Sequence, residues 1–236
     1  QMSYLILVRH GQSVWNLQKK FTGWVDVDLT ENGKLEAQKA GKLIKQEQIQ
    51  VSLYYSSFQL RAKHTLKIIQ DELRDHKKIK SAWELNERHY GALTGLNKDE
   101  MKKKLGEEKV HQFRRSWDIR PEPLDKKSPY HPLNIKTYKE IPVDKIPDTE
   151  SLKDTYERVI NFYNEEIEND ISKNIIISAH GNSIRALCKY LFDLNNKEIS
   201  KLEIPTGNPL LIELKNNKIL NCKYLDKERA KNLLVF

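Results

Sequence analysis

The sequence predicts an α/β fold built on parallel strands, on three observations. The apolar run at residues 5–8 (Leu-Ile-Leu-Val) breaks abruptly into Arg9, His10 and Gly11, which reads as a buried strand ending in a turn. Residues 175–179 repeat the pattern, breaking into His180-Gly181-Asn182-Ser183 ahead of a helical stretch at 184–191. The length of 236 residues suits one α/β domain with a sizeable core. Two His-Gly turns leaving parallel strands would lie at the same carboxyl edge of the sheet, where open α/β sheets bind ligands. Either turn alone reads as an ordinary strand-to-helix connection. The matched pair, with Arg9 in the first, points to a shared phosphate site.

In chain order, residues 12–17 open a short helix whose free backbone N–H groups face the first turn. A helix N-terminus beside an arginine is an anion site, and phosphate is the usual anion. The imidazole of His10 brings a nucleophilic nitrogen to that site. Phe21-Thr22-Gly23-Trp24 reads as a loop. Gly23 permits close backbone approach to a ligand and Thr22 offers a hydroxyl; a surface turn pinned by its two aromatics is the plainer reading. Thr30 caps a helix running to about residue 48, with Leu35, Ala40, Leu43 and Ile44 on its inner face. Residues 51–55 form a short strand ended by Ser56 and Ser57, and 60–73 an amphipathic helix. Arg61 falls in that helix's first turn, where a positive charge opposes the dipole unless it has an anion to bind. His64 and His76 read as surface or packing residues.

Residues 83–93 hold Glu84, Glu87, Arg88, His89 and Tyr90. Phosphoryl transfer to or from a hydroxyl needs a proton acceptor and donor beside the anion pocket, and burial would raise the pKa of such a carboxyl. Glu84 and Glu87 are equally placed for that role on residue pattern alone, and a structural ion pair fits either. Residues 97–105 and 107–116 read as two charged, lid-like helices carrying Lys98, Arg114 and Arg115. Adjacent arginines can fork a carboxylate and a phosphate together, or simply form a solvated face. Residues 121–147 hold six of the eight prolines and read as an irregular insertion draped over the site mouth. Ser151, with Asp154 three residues on, opens a helix to about residue 168 in a capping-box pattern. Residues 209–214 and 219–224 close as a hairpin over Asn216-Asn217.

Lys plus Arg number 41 against 33 Asp plus Glu, a formal net charge of +8. The lysines are spread along the chain with no aromatic-interleaved basic motif. The excess therefore reads as general composition with some attraction for small polyanions, and no nucleic-acid partner is expected. No run is long enough to span a membrane and no leader pattern precedes the first strand, so no membrane partner and a cytoplasmic location are expected. Gln1 ahead of Met2 reads as an expression remnant. Cys188 and Cys222 carry no metal spacing and read as reduced core residues. No pair among the seven histidines has ligand spacing on one helix, so no metal site is expected.

Several motifs carry a resemblance. Leu-Val-Arg9-His10-Gly11-Gln12-Ser13 with Trp15-Asn16, Phe21-Thr22-Gly23-Trp24, Ser57 through Arg61-Ala62, Leu85-Asn-Glu87-Arg88-His-Tyr90-Gly-Ala-Leu93 and Ala179-His180-Gly181-Asn182-Ser183 together resemble the cofactor-dependent phosphoglycerate mutases. These belong to the histidine phosphatase superfamily. The motifs keep the family's order from about residue 4 to about residue 225. Arg-His-Gly marks only the superfamily; Asn-Glu-Arg-His-Tyr-Gly is much more specific to the mutases.

The resemblance implies a three-layer sandwich, with a mostly parallel central sheet flanked by helices. It implies one catalytic domain over residues 2–236, with a charged and Pro-rich lid insertion at about 97–150. The implied activity interconverts 2-phosphoglycerate and 3-phosphoglycerate through a phosphohistidine primed by 2,3-bisphosphoglycerate, without metal, in a homo-dimer or homo-tetramer. In that scheme His10 is the nucleophile. Its other ring nitrogen is held by a hydrogen bond to a backbone carbonyl, leaving the attacking nitrogen unprotonated. Arg9, Asn16, Arg61 and His180, the last cationic or a donor, surround the transferred group. Glu87, rather than Glu84, exchanges the proton. Gln12, Ser13, Thr22, Gly23, Arg88, Tyr90, Gly181 and Asn182 contact the substrate. Lys98, Arg114 and Arg115 take its carboxylate and second phosphate.

Two departures stand out. Gln12 occupies a position where the family more often has Glu, a loss of negative charge expected to be tolerated. Only residues 225–236 follow Tyr224, a short tail beside those of many relatives, which predicts a more open phosphohistidine and more phosphatase side activity. The main competing function is a phosphatase of the same superfamily acting on small phosphorylated metabolites, against which Lys98, Arg114 and Arg115 argue. A catalytically idle, ligand-binding scaffold is opposed by the intact set of His10, Arg61, Glu87 and His180. A nucleic-acid binder rests on charge alone.

Overall fold

Alternation of apolar side chains along the central strands builds the layers. In β1 (Met2–Arg9), Leu5 and Leu7 face one way and Ile6 and Val8 the other, as the pleat requires. The same division holds for β2 (Leu53–Ser56), between Tyr55 and Tyr54, and for β4 (Ile175–Ala179), between Ile175 and Ile177 on one side and Ile176 on the other. One face packs on α2 (Glu31–Gln46) and α3 (Leu60–Leu73) through Ala40, Ile44, Leu66 and Ile69. The other packs on α6 (Leu152–Phe162), α7 (Gly181–Leu191) and α8 (Asn196–Lys201) through Val159, Ile160, Ile184, Leu187 and Ile199. The result is the expected three-layer arrangement. It is seen in a computed structural model that describes residues 1–230; residues 231–236, on which the expectation of a short tail partly rests, lie outside the described residues.

Among the described residues the sheet has six strands in the order β3-β2-β4-β1-β5-β6. β3 (Ile79–Ser81), β2, β4 and β1 run parallel, while β5 (Leu210–Lys215) and β6 (Lys218–Tyr224) form an antiparallel hairpin added to β1. Asn216 and Asn217 both take positive φ, as a tight two-residue hairpin turn requires. The register of β1 against β4 pairs Arg9 with Ala179. The His10 amide then donates to the Ala179 carbonyl at 3.1 Å. That register brings the two His-Gly turns side by side.

Several expectations shift. Leu35 is 61% exposed rather than inward. The buried face of α2 is Gly33, Ala37, Ala40, Gly41 and Ile44, because Gly33 must slide under the first turn. A Cβ on Gly33 would stand 2.0 Å from the Gln12 carbonyl oxygen, and one on Gly11 would stand 2.1 Å from the Gly33 oxygen. Only glycine fits at either point. β3 lies at the sheet edge just ahead of Trp83, and the helix opened by Ser151 regularises only to Phe162 before a π turn at Tyr163–Ile167. Cys188 and Cys222 are buried and unbridged. No helix among the described residues is long and apolar enough to cross a membrane.

Residues 121–147 form short 3₁₀ turns pinned by burial of Tyr138 and Ile141 against Trp24. Tyr138 donates its hydroxyl to the Trp24 carbonyl and accepts from Gln59 Nε2 at 2.9 Å. The insertion thus braces the 84–91 loop from outside. A buried ion pair completes that brace: Arg158 and Glu150 have side chains 10% and 6% exposed. Arg158 donates to both Glu150 oxygens and to the carbonyls of Glu84, Asn86 and Glu87, all within 2.9 Å. Replacing Arg158 with Met strands a buried carboxylate and three carbonyls. We expect a loss of about 3–5 kcal/mol in denaturant unfolding, partly restored by adding Glu150→Gln. A loss under about 1 kcal/mol, ordinary for a surface pair, would contradict this account.

Candidate active site

At the carboxyl edge of β1 and β4 lies a cavity of about 120 Å³, far below the ~300–1,000 Å³ of pockets for drug-sized ligands. Six cationic side chains line it (Arg9, Arg61, Lys98, Arg114, Arg115 and Arg185) against two carboxylates, Glu87 and Glu203. A small polyanion is the ligand such a site selects.

At its floor, His10 is 2% exposed. Its Nδ1 lies 2.6 Å from the Gly11 carbonyl oxygen. A carbonyl can only accept, so Nδ1 carries the proton and Nε2 keeps its lone pair. Burial, then the charges of Arg61 and Arg9, hold the His10 pKa well below the ordinary histidine range. The ring is neutral at physiological pH. His180, whose ring centroid is 5.0 Å from that of His10, hydrogen-bonds Ser57 Oγ through Nε2 at 2.7 Å. Burial beside Arg61, His10 and Arg9 lowers its pKa likewise. Of the two forms expected for His180, this environment disfavours the cation.

Arg61 is anchored from behind, donating to the carbonyls of Val25 and Gly23 at 2.9 Å each. The helix N-terminus it was expected to oppose receives its anion from Asp26, which accepts from the Leu60 amide at 2.7 Å. Arg9 donates through Nη1 to the Ile204 carbonyl at 2.8 Å, while its buried Nε has no hydrogen-bond partner among the described residues. Asn16 lies in the single turn of α1 (Val14–Leu17) with its Oδ1 accepting from the Ser13 amide, which leaves its side-chain N–H groups for the cavity.

Glu87 lines the cavity and Glu84 does not, which separates the two acids that residue pattern left equal. Glu87 Oε1 accepts from the amides of Arg88 at 2.8 Å and Asn182 at 3.2 Å. Its backbone carbonyl takes Trp24 Nε1 and Arg158 Nη2, and its amide donates to Gln59. Oε2 is the oxygen beside Gly181, where a Cβ would stand 3.8 Å from it and 3.6 Å from Arg9 Nε. The carboxylate is thereby fixed by one oxygen and offered by the other. Tyr90 accepts from Asn182 Nδ2 at 3.0 Å, so its own hydroxyl proton is left for the cavity. Thr22 and Gly23 line the adjoining wall.

The upper wall comes from α4 (Lys98–Leu105) and α5 (Glu107–Arg115). Arg114 and Arg115 end α5, where the dipole favours cations. Lys98 lies among Arg114, Arg9 and Arg115, and burial followed by these charges pulls its pKa down to about 7. A bound anion would restore its charge, so the complex holds more protons than the free protein. Affinity for phosphorylated ligands should therefore fall as pH rises above about 7, by at most about tenfold per pH unit. Calorimetry at pH 7.5 in two buffers of unlike ionisation enthalpy should show proton uptake that Lys98→Met abolishes. Equal uptake in both proteins would contradict the assignment.

Three residues expected to touch substrate lie elsewhere. Ser13 caps α1, accepting from the Asn16 amide. Gln12 is held by Thr30 at 2.9 Å and lines an outer groove. Arg88 is fully buried behind the loop, donating to the carbonyls of Glu150 and Ile119. Conversely, Arg185, Glu203 and Ile204 line the cavity unforeseen. Arg185 had a signal: it follows Asn182 by three residues on α7, hence on the same helical face. Glu203, a lone acid between apolar neighbours, had none.

The histidine phosphatase superfamily (branch 1) model matches residues 5–131 and 124–224. A protein of Pelagibacter ubique named 2,3-bisphosphoglycerate-dependent phosphoglycerate mutase is 68% identical over 100% of both chains. One of the same name from a Hydrogenobaculum species is 46% identical over 99% of this chain and 96% of its own. The solved structure of Bacillus stearothermophilus YhfR shares the fold, with a TM-score of 0.68 over 92% of this chain and 94% of its own at 21% identity. The chain belongs to the histidine phosphatase superfamily, and within it to the 2,3-bisphosphoglycerate-dependent phosphoglycerate mutases.

Proposed function

We propose that the chain interconverts 2-phosphoglycerate and 3-phosphoglycerate by passing a phosphoryl group through Nε2 of His10. The observation that carries this is the pairing of an oriented, unprotonated imidazole with a second cationic cluster in the same cavity. Covalent transfer needs the first. A substrate carrying a phosphate and a carboxylate on three carbons uses the second.

In this reading Nε2 attacks phosphorus while Gly11 holds the Nδ1 proton, which stabilises the ring as its bond to phosphorus forms. Arg9 Nε, Arg61, Asn16 and His180 donate to the non-bridging oxygens. These donors are fixed beforehand by Ile204, Val25, Gly23, Ser13 and Ser57, so little reorganisation accompanies the reaction. Glu87 Oε2 exchanges a proton with the substrate hydroxyl, and Tyr90 and Asn182 orient the carbon skeleton. Lys98, Arg114 and Arg115 take the far anion. When bound, 2,3-bisphosphoglycerate supplies the phosphoryl group that primes His10; the second cationic cluster matches its remaining phosphate and its carboxylate. Every positive charge in the scheme comes from side chains. Residues 2–236 act as one catalytic unit, and the lid role narrows within 97–150 to α4 and α5, since no residue of 121–147 lines the cavity.

Phosphorus NMR of 3-phosphoglycerate with the protein, with and without catalytic 2,3-bisphosphoglycerate, tests the reading. A 2-phosphoglycerate signal that requires the bisphosphate is expected. Inorganic phosphate as the sole product would put the phosphatase function in its place.

A further inference from the structure

Glu203 stands in the loop between α8 and β5, and its carboxylate is seated on Arg115. Arg115 Nε lies 3.3 Å from Oε1, and Nη2 lies 3.2 Å from Oε1 and 3.1 Å from Oε2. This side-on pairing is the one a guanidinium makes with any carboxylate or phosphate. Both residues line the catalytic cavity. The Arg115 side chain is 14% exposed and that of Glu203 60%. The cation is built into the wall, whereas the acid can swing into solvent. The backbone beneath the acid is fixed, for Leu202 and Ile204 are buried and the Ile204 carbonyl holds Arg9.

We propose that Glu203 is a specificity-determining residue, an internal placeholder whose carboxylate occupies Arg115 until the far anionic end of a ligand displaces it. A ligand with one anionic group, docked at His10, Arg9 and Arg61, leaves the Arg115–Glu203 pair intact. A ligand with two anionic ends exchanges Glu203 for its own second anion, and Glu203 regains its hydration. The site thereby favours doubly anionic ligands and stays neutralised at its mouth otherwise. A pair so open to water is weak, which is what a displaceable contact requires. The ligand's identity rests on the function proposed above; the placeholder itself rests on the Arg115–Glu203 geometry.

The test compares two probes, 3-phosphoglycerate and inorganic phosphate, by calorimetry at fixed ionic strength on the wild-type protein and Glu203→Gln. The amide keeps the shape and removes the charge. Glu203→Gln should bind 3-phosphoglycerate about two- to fivefold more tightly, the size of a half-exposed ion pair, and should leave inorganic phosphate essentially unchanged. Glu203→Asp, one methylene shorter, should fall between. No tightening, weakening, equal tightening of both probes, or no binding of 3-phosphoglycerate to either protein would overturn the proposal. Wild-type turnover measured alongside keeps the two readings apart. Absent turnover removes the mutase function, while the binding comparison still decides the placeholder.

Discussion

His10→Ala should abolish phosphoenzyme formation and lower bisphosphate-primed transfer by on the order of 10⁴-fold or more, as loss of a covalent nucleophile does. The fold should survive. His10 contributes one side-chain hydrogen bond, to its own neighbour, and the strand register is set by its backbone amide and by β4 and β5. The stability change should therefore stay within about 1–3 kcal/mol. The wild-type pH profile is part of the same expectation. His10 is held neutral by burial and by Arg61 and Arg9, so its protonation should not set an acid limb in the ordinary histidine range. Retained turnover in His10→Ala would remove covalent transfer through this residue.

Glu87→Gln should slow phosphoryl transfer both to His10 and from it. The amide oxygen can still accept from the Arg88 and Asn182 amides, so the side chain keeps its place. Proton exchange at Oε2 is lost. Phosphoenzyme formation from the bisphosphate needs a proton for its leaving oxygen and transfer to 3-phosphoglycerate needs one removed, so both steps should slow by about 10²–10⁴-fold, the usual worth of a positioned general acid and base. Rapid-quench kinetics resolve the two steps. Unchanged rates in both steps would take Glu87 out of the proton path, and weakened phosphate binding with both rates intact would mean that it acts on the anion pocket instead.

Much of the fold was legible because burial on both faces writes itself as continuous apolar runs. Residues 5–8 and 175–179 read as buried parallel strands of one sheet with their two His-Gly turns at one edge; their direct pairing is a matter of tertiary register. The hairpin announced itself through Asn216-Asn217, residues that tolerate the left-handed backbone its turn needs. Leu35 misled because apolar periodicity does not register a backbone-to-backbone crossing: the glycines at 11 and 33 decide which face of α2 goes in.

The candidate site divides in the same way. Local motifs placed His10, Arg61, Glu87 and His180 in one cavity or against its wall. Local motifs also drew in Ser13, Gln12 and Arg88, because sequence adjacency to a functional residue says nothing about which way a side chain points. Ser13 turns to cap a helix and Arg88 turns inward to carbonyls of the brace. Arg158 and Glu203 act from 71 and 88 residues away from the groups they hold, Glu87 and Arg115. No local pattern marks such a partner; tertiary packing alone brings it in.

One atom, His10 Nε2, carries the phosphoryl group in the proposed reaction. The most direct measurement quenches the wild-type protein with labelled 2,3-bisphosphoglycerate in alkali and maps the labelled residue and ring position. An acid-labile, alkali-stable label is expected on His10 at Nε2, since Nδ1 is engaged by the Gly11 carbonyl. A label on His180, on Nδ1, or on no residue at all would contradict it.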